Sequence, residues 1–332
     1  MFRSIIYMLM LLPFFIKLHA SSWYLGIDND FFFESDDKYT AGLHLNWRSD
    51  NYRLDKKSFD NDYTSFLSDL ISLIRRDKFK DKKRNAGLGL NELIITPDDL
   101  APAEPIYDDA PYIGILNLTS SLFVWDATTL EEYRTTIGIV GPSSGATELQ
   151  TRVHKIIGAQ NPKGWHNQLS DYAFVQLDYL KGFKNFEHRF SNNTYIQWFH
   201  NYVLSMGNLY IGAGGGTYIR WGRNIPDNFV VISDNLNSSP NHQINLESRS
   251  KALGWATRLG LFTHAPAYSY IDEESERRGY NYDRSHSQII AQIGLDLFVK
   301  NFQLSVELYP SGSLYKSYRE DSWGRIHFTW YQ

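Results

Sequence analysis

Apolar and polar residues alternate with a period of two along much of the chain. From 289 to 299, Ile289, Ala291, Ile293, Leu295, Leu297 and Val299 share one face, while Gln292, Gly294 and Asp296 share the other. Successive side chains of a strand point to opposite sides, so this stretch reads as a strand with one apolar and one polar face. Lys300-Asn301 interrupts the pattern, which restarts with Phe302, Leu304, Val306 and Leu308. A two-residue turn pairs Val299 with Phe302 on the same apolar face, so the register agrees with a hairpin. Leu253 to Leu261, Leu209 to Trp221 and Ile326 to Trp330 alternate in the same way.

The pattern predicts about twelve strands, near 22–32, 39–49, 86–96, 111–126, 130–140, 171–182, 193–204, 207–222, 251–263, 286–299, 301–314 and 323–331. A soluble sandwich also alternates, but these strands are long enough to cross a bilayer at a tilt. Their non-apolar face carries Arg, Asp, Gln and Gly, as a wet lumen would. Trp23, Trp47, Trp125, Tyr309, Trp323 and Trp330 lie near strand ends, where interfacial aromatic girdles sit. The expected fold is therefore all-β: a transmembrane antiparallel up-and-down barrel of about twelve strands, with a short helix in an outer loop. The mean hydropathy of −0.39 argues against a bundle of membrane-spanning helices and leaves a barrel open.

Composition narrows the chemistry. The 332 residues include 37 acidic and 33 basic side chains and no cysteine. A net charge of −4 gives no basic excess for nucleic acid. The lack of cysteine removes disulfides, thiolate zinc sites and cysteine nucleophiles. Residues 1–20 read as a secretory signal peptide: Arg3 is basic, Ile5 to Ile16 is an apolar run too short to span a bilayer, and Ala20 permits cleavage before Ser21. The expected layout is a signal peptide over 1–20 and an outer-membrane barrel over 21–332. With both termini periplasmic, 30–40, 97–110, 141–170 and 264–285 fall on the outer rim. The segment 50–85 would then be periplasmic. It holds an amphipathic stretch (Phe66, Leu67, Leu70, Ile71, Ile74) followed by a basic run, and reads first as a solvated helix, with a membrane-surface contact or a lumen plug as alternatives.

Three clusters could carry chemistry. Asp28-Asn29-Asp30 with Glu34, Asp36 and Asp37 precedes Lys38-Tyr39-Thr40. Such dense oxygen donors suit a hard cation, Ca²⁺ above all, although an acidic loop that binds nothing has the same composition. Strand parity points Asp28, Asp30 and Thr40 into the lumen. Second, Gly141-Pro142-Ser143-Ser144-Gly145 leads into a helix over about 146–157 closed by Gly158. Its apolar face is expected to pack into the barrel mouth and aim His154 at the lumen. A histidine beside a carboxylate-bound cation can take a proton from water while the metal stabilises an ester oxyanion. Third, His200 and Ser205 on one strand offer a serine hydrolase, a weak signal resembling outer-membrane phospholipase A over about a dozen residues. Glycines 212, 214 and 216 would leave room on one lumen face.

Together these segments resemble the outer-membrane lipid A 3′-O-deacylase family. The matching pieces are IDNDFFFESDDKYTAGLHLNW (27–47), DDAPYIGIL (108–116), TIGIVGPSSGATELQTRVHKIIGAQNPKGWHNQ (136–168) and GNLYIGAGGGTYIRWGRNIP (207–226). The resemblance implies a twelve-stranded, monomeric barrel in the bacterial outer membrane that hydrolyses ester-linked acyl chains of lipid A, modifying lipopolysaccharide, with Ca²⁺. Carried over residue by residue, it makes Asn29, Thr40 and His154 catalytic, His154 the general base, and Asp30 with Thr40 metal ligands. Members often carry Glu at the position held here by Gln160, which puts that residue's part in the metal site in doubt. A paired basic motif for lipid A phosphates has no match in 97–110. The rival readings are a non-catalytic channel or adhesin barrel and the serine phospholipase using Ser205 and His200.

Overall fold

The computed structural model describes residues 20–29, 39–49, 62–75, 82–227, 229–230, 252–281, 288–310 and 322–331. The described residues form twelve strands: β1 (Ala20–Asn29), β2 (Tyr39–Ser49), β3 (Lys83–Ile95), β4 (Ile113–Trp125), β5 (Thr129–Val140), β6 (Tyr172–Arg189), β7 (Thr194–Gly207), β8 (Tyr210–Arg223), β9 (Gly254–Ser269), β10 (Gln288–Val299), β11 (Phe302–Tyr309) and β12 (Trp323–Tyr331). Three helices accompany them: α1 (Asp62–Arg75), α2 (Ala146–Ile157) and α3 (Tyr270–Arg277). Each strand pairs antiparallel with its sequence neighbours, and β1 pairs with β12, so the sheet closes as a barrel without a free edge. No described helix is long and apolar enough to cross a membrane. Residues 1–19 and 30–38 lie outside the described residues, so the signal peptide and Asp30 do too.

Parity holds around the barrel. Leu25, Ile27, Leu43, Leu45, Ile293, Leu295, Leu297, Phe302, Leu304, Ile326 and Phe328 all point outward and are exposed. The predicted hairpin forms, with Val299 opposite Phe302 and Lys300 at φ 51° completing the turn. Trp330 also points outward, but Trp125, Tyr309 and Trp323 do not join a girdle. They occupy inward positions and are buried, and Tyr309 stacks on Trp323 at 3.8 Å inside the barrel.

The lumen is filled, which goes against the channel reading. One hydrogen-bonded chain crosses its middle. Asn117 accepts from Asn91 at 2.8 Å, and Asn91 meets His44 at 3.1 Å. His44 reaches Asp28 at 3.0 Å, and Asp28 takes two bonds from Arg325 at 2.5 and 2.7 Å. Glu307 lies 3.9 Å from Arg325 and accepts from Arg258 at 2.9 Å, and Arg258 clasps Asp296 with two bonds of 2.9 Å. Eight strands are thereby tied together. Asp28, Asp296 and Glu307 are each 0% exposed, a burial that charges tolerate only when paired in this way. Apolar clusters close both ends of this layer. On the side of the termini, Phe229 and Val230 insert among Phe123, Trp125, Leu180, Phe199 and Phe262. At the opposite end, Leu209 and Ile271 pack on Leu93, Ile113, Ile115 and Phe174. Gly212, Gly214 and Gly216 leave no room. A Cβ at the first would meet the Tyr210 hydroxyl at 2.5 Å, and Cβ atoms at the other two would meet Phe262 at 2.6 and 2.9 Å.

Candidate active site on the outer wall

The helix carrying His154 forms over the predicted residues but packs on the other side of the wall. On β4, Asn117, Thr119 and Ser121 point inward, so Gly114 points outward. A Cβ at Gly114 would stand 2.2 Å from Ser144 Oγ and 2.4 Å from Ala146 Cβ. The single turn Pro142–Ser144 and the start of α2 therefore rest directly on the outer face. Ala146 joins a buried cluster with Ile94, Leu100, Tyr112 and Trp165, against which Leu149 and Ala41 also pack. Ile94 and Ala41 are outward positions of β3 and β2. The expectation of a helix in the barrel mouth is thus corrected: among the described residues the lumen end is filled by its own apolar cluster, and α2 packs on the wall instead.

Local chemistry fixes this docking. Gly141 and Gly145 take φ of 104° and 89°, which only glycine adopts without strain, and Gly141 N–H donates to Gly114 O at 2.9 Å. Asp171 accepts from Ser143 N–H at 2.8 Å and Ser143 Oγ at 2.6 Å. Gln150 accepts from Trp165 Nε1 at 2.8 Å, and Trp165 stacks at a tilt on Tyr112, 5.0 Å between centroids. Burial pushes the Tyr112 hydroxyl above its ordinary pKa. The return segment is stitched to the 96–112 loop by Lys163 N–H to Leu100 O and Leu169 N–H to Tyr112 O, both 3.1 Å. Arg278, just after α3, donates to Gln168 O at 2.9 Å and to Ser170 Oγ. Glu274 accepts from both Arg277 and Arg278, and the Arg277 bond leads in holding its carboxyl below the ordinary range.

His154 lies in the last turn of α2. Its Nδ1 is 2.6 Å from the main-chain O of Gln160. A carbonyl can only accept, so Nδ1 carries the proton and, in the neutral ring, Nε2 carries the lone pair. The Gln160 side chain has no part in this bond, so a Glu-to-Gln difference leaves the orientation of the imidazole intact. Gly158, at φ 74°, turns the chain so that Gln160 comes back to the ring. The apolar stripe of α2 continues from Leu149 to Val153, Ile156 and Ile157. Only its first half is covered: Ile156 is 83% and Ile157 68% exposed.

Asn29 ends β1 opposite Ala41 and shares the outward parity of Leu25 and Ile27, so it belongs to the outer wall. Asp28 points inward, as expected, but is absorbed by Arg325 and His44. Thr40 is the extra residue of a bulge in β2 between Tyr39 and Ala41, and its side chain lies outside the described residues. Sequence reasoning missed Glu92. It occupies an outward position of β3, between Leu43 and Leu116, yet it is 8% exposed beneath the helix start and its Oε1 has no hydrogen-bond partner among the described residues. A carboxylate at a lipid-facing position has to be covered, and that break in parity was the available signal. Asn29 and Glu92 offer amide and carboxylate oxygens, the donor type a hard cation takes, and no group of three or more His, Cys, Asp or Glu side chains comes together as a metal site among the described residues.

The serine alternative fails on geometry. Positions five apart on a strand face opposite ways. Ser205 points inward and donates to Asp178 at 2.6 Å, whereas His200 is on the outer face, stacked on Phe183 at 4.7 Å.

Closure, lipid-facing parity and outward-docked helices define an outer-membrane β-barrel whose candidate site lies on its outside. The model of the outer membrane protein LpxR family matches residues 5–332, and the chain belongs to that family. The chain is similar in fold to LpxR from Salmonella typhimurium, with a TM-score of 0.73 at 16% identity over 94% of this chain and 100% of that one. The β domain of the Bordetella autotransporter BrkA matches with a TM-score of 0.46 at 7% identity, over 95% and 100% of the two chains. Comparison with curated protein sequences gives no match.

Proposed function

We propose that the protein is a lipid A 3′-O-deacylase acting on lipopolysaccharide in the outer leaflet, with His154 as general base. The observation that carries this reading is a histidine with its Nδ1 proton committed to a main-chain oxygen, held by a helix docked on the lipid-facing wall. The helix geometry supports it. Ala146 sits on β4, and His154 follows eight residues later, about 12 Å along the axis. Three strand spacings, from β4 to β1, are about 14 Å. The helix contacts β4 and β3; continued in that direction across β2, its last turn would come toward the end of β1, where Asn29 lies. The uncovered Val153, Ile156 and Ile157 offer an apolar surface at the membrane boundary to a lipid arriving sideways.

In the reaction, a water molecule gives its proton to His154 Nε2 as its oxygen adds to the acyl carbonyl carbon. The tetrahedral intermediate collapses, the ester C–O bond breaks, and the proton on Nε2 passes to the departing sugar oxygen. Asn29 can donate its amide N–H to the developing oxyanion. Oxygen donors from Asp30, Thr40 and Asn29 would hold Ca²⁺, with Gln160 the weakest member because its amide is neutral; the ion would supply positive charge beside the carbonyl oxygen.

The test is His154→Ala, examined by mass spectrometry of lipid A from cells producing the protein. Acyl release should disappear while the unheated barrel keeps its folded mobility on a detergent gel. Undiminished release would overturn the assignment.

A further inference from the structure

Helix α1 carries more apolar surface than its docking on the barrel uses. Tyr63 hydrogen-bonds Ser120 Oγ, and Leu67 and Ile71 pack on Leu122, Val124 and Tyr133. Ser120, Leu122, Val124 and Tyr133 are all outward positions, so α1 lies on the outside of β3, β4 and β5, near the turn that joins β4 to β5. At about 100° per residue, Tyr63, Leu67 and Ile71 occupy one arc, and Leu70, Phe66 and Leu73 occupy the arc adjoining it. That second arc is bare: Phe66 is 61%, Leu70 50% and Leu73 76% exposed. Asp69 is exposed on the remaining, polar arc.

We propose that α1 is an interfacial membrane helix, with Phe66, Leu70 and Leu73 immersed among the acyl chains of phospholipid in the leaflet nearest the chain termini. Continuity with the lipid-facing wall identifies the occupant. Leu118 and Ile137 point outward from the same strands and are themselves exposed, so the bare arc of α1 extends a surface that already meets hydrocarbon. The three arcs have three separate neighbours: the wall, the acyl chains and water. A helix with an apolar side backed by a polar face lies in the plane of the interface. The segment is then an anchor on the same strands that carry α2 at their other end. This inference is independent of the proposed hydrolysis.

The chain has no cysteine, so a single introduced thiol takes a spin label without background. Phe66→Cys, Leu73→Cys and Asp69→Cys, with Leu118→Cys as the lipid-facing reference, are labelled in the full-length protein in phosphatidylethanolamine–phosphatidylglycerol vesicles. Collision with oxygen, which concentrates in hydrocarbon, is compared with collision with a water-soluble nickel chelate. Positions 66 and 73 should match 118, with an oxygen-to-nickel ratio severalfold above that of position 69. Nickel access at 66 and 73 equal to that at 69 would place the helix in water. Shielding from both reagents would place it against protein, another segment or a second copy. Either result overturns the proposal. Each variant is first checked for folded mobility on an unheated detergent gel, and Leu70→Cys replaces any variant that fails.

Discussion

Gly114→Ala isolates the docking of α2 from the rest of the molecule. The new Cβ would meet Ala146 Cβ at 2.4 Å and Ser144 Oγ at 2.2 Å. The serine oxygen ends a rotatable side chain and can move. Ala146 Cβ is fixed to the helix and cannot. Carbon atoms rest at about 3.5–4.0 Å, so the helix start must retreat by about 1.2 Å. Overpacking of this kind costs ~1–3 kcal/mol. A misplacement of about 1 Å at a catalytic group costs ~10²-fold in rate, equivalent to ~2.7 kcal/mol of transition-state stabilisation. The barrel should be untouched, because Gly114 faces outward and the buried ionic chain lies on the other side of the wall. The assay is the initial rate of acyl release from lipopolysaccharide in outer-membrane vesicles, with detergent-gel mobility as the folding control. Adding Ala146→Gly removes the fixed clash and should restore much of the rate. An unchanged rate in Gly114→Ala, or no recovery in the double variant, would refute the claim that contact between α2 and the wall positions His154.

Two further outcomes follow from other contacts. Arg258→Met leaves Asp296 and Glu307 without their shared guanidinium partner inside the lumen. Removing one member of such a buried set costs ~3–5 kcal/mol, and the temperature at which the barrel loses its folded gel mobility should drop accordingly. The clasp around Glu274 is pH-sensitive: its folded pKa is depressed, so its contribution is complete above the unfolded glutamate value of about 4.3 and is lost as pH falls through the folded value. Hydrogen-exchange protection over 270–278, taken relative to the intrinsic rate at each pH, should therefore fall below that range in the native chain, and Glu274→Gln should remove the dependence.

The barrel was legible in the sequence because alternation is a local signal that closure only satisfies. β2 and β12 begin and end where the pattern predicts, and the turn at Lys300-Asn301 follows from register alone. β6 runs seven residues past its expected end, since Phe183 to Arg189 still pair with β7 although the alternation has faded. Helix α2 was legible to the residue, from Gly145 and Gly158. The side of the wall it covers was not, because an apolar helix face is equally consistent with a lumen and with an outer surface. What decides is the row of outward positions beneath it: Gly114 lacks a side chain, and Glu92 could not face lipid uncovered. The same holds for α1, whose wall contacts were hidden in Ser120, a polar outward residue amid apolar ones. The inward aromatics were misread because position along a strand was weighed and parity was not.

A protein that meets lipid from within a permeability barrier must do so without breaching that barrier. Here the lumen is packed with interlocked charges between two apolar stoppers, and the candidate chemistry is on the outer surface of the cylinder. Among the described residues, water, ions and small solutes therefore meet no path through the lumen. A barrel built this way can present a site to lipid and leave the membrane sealed.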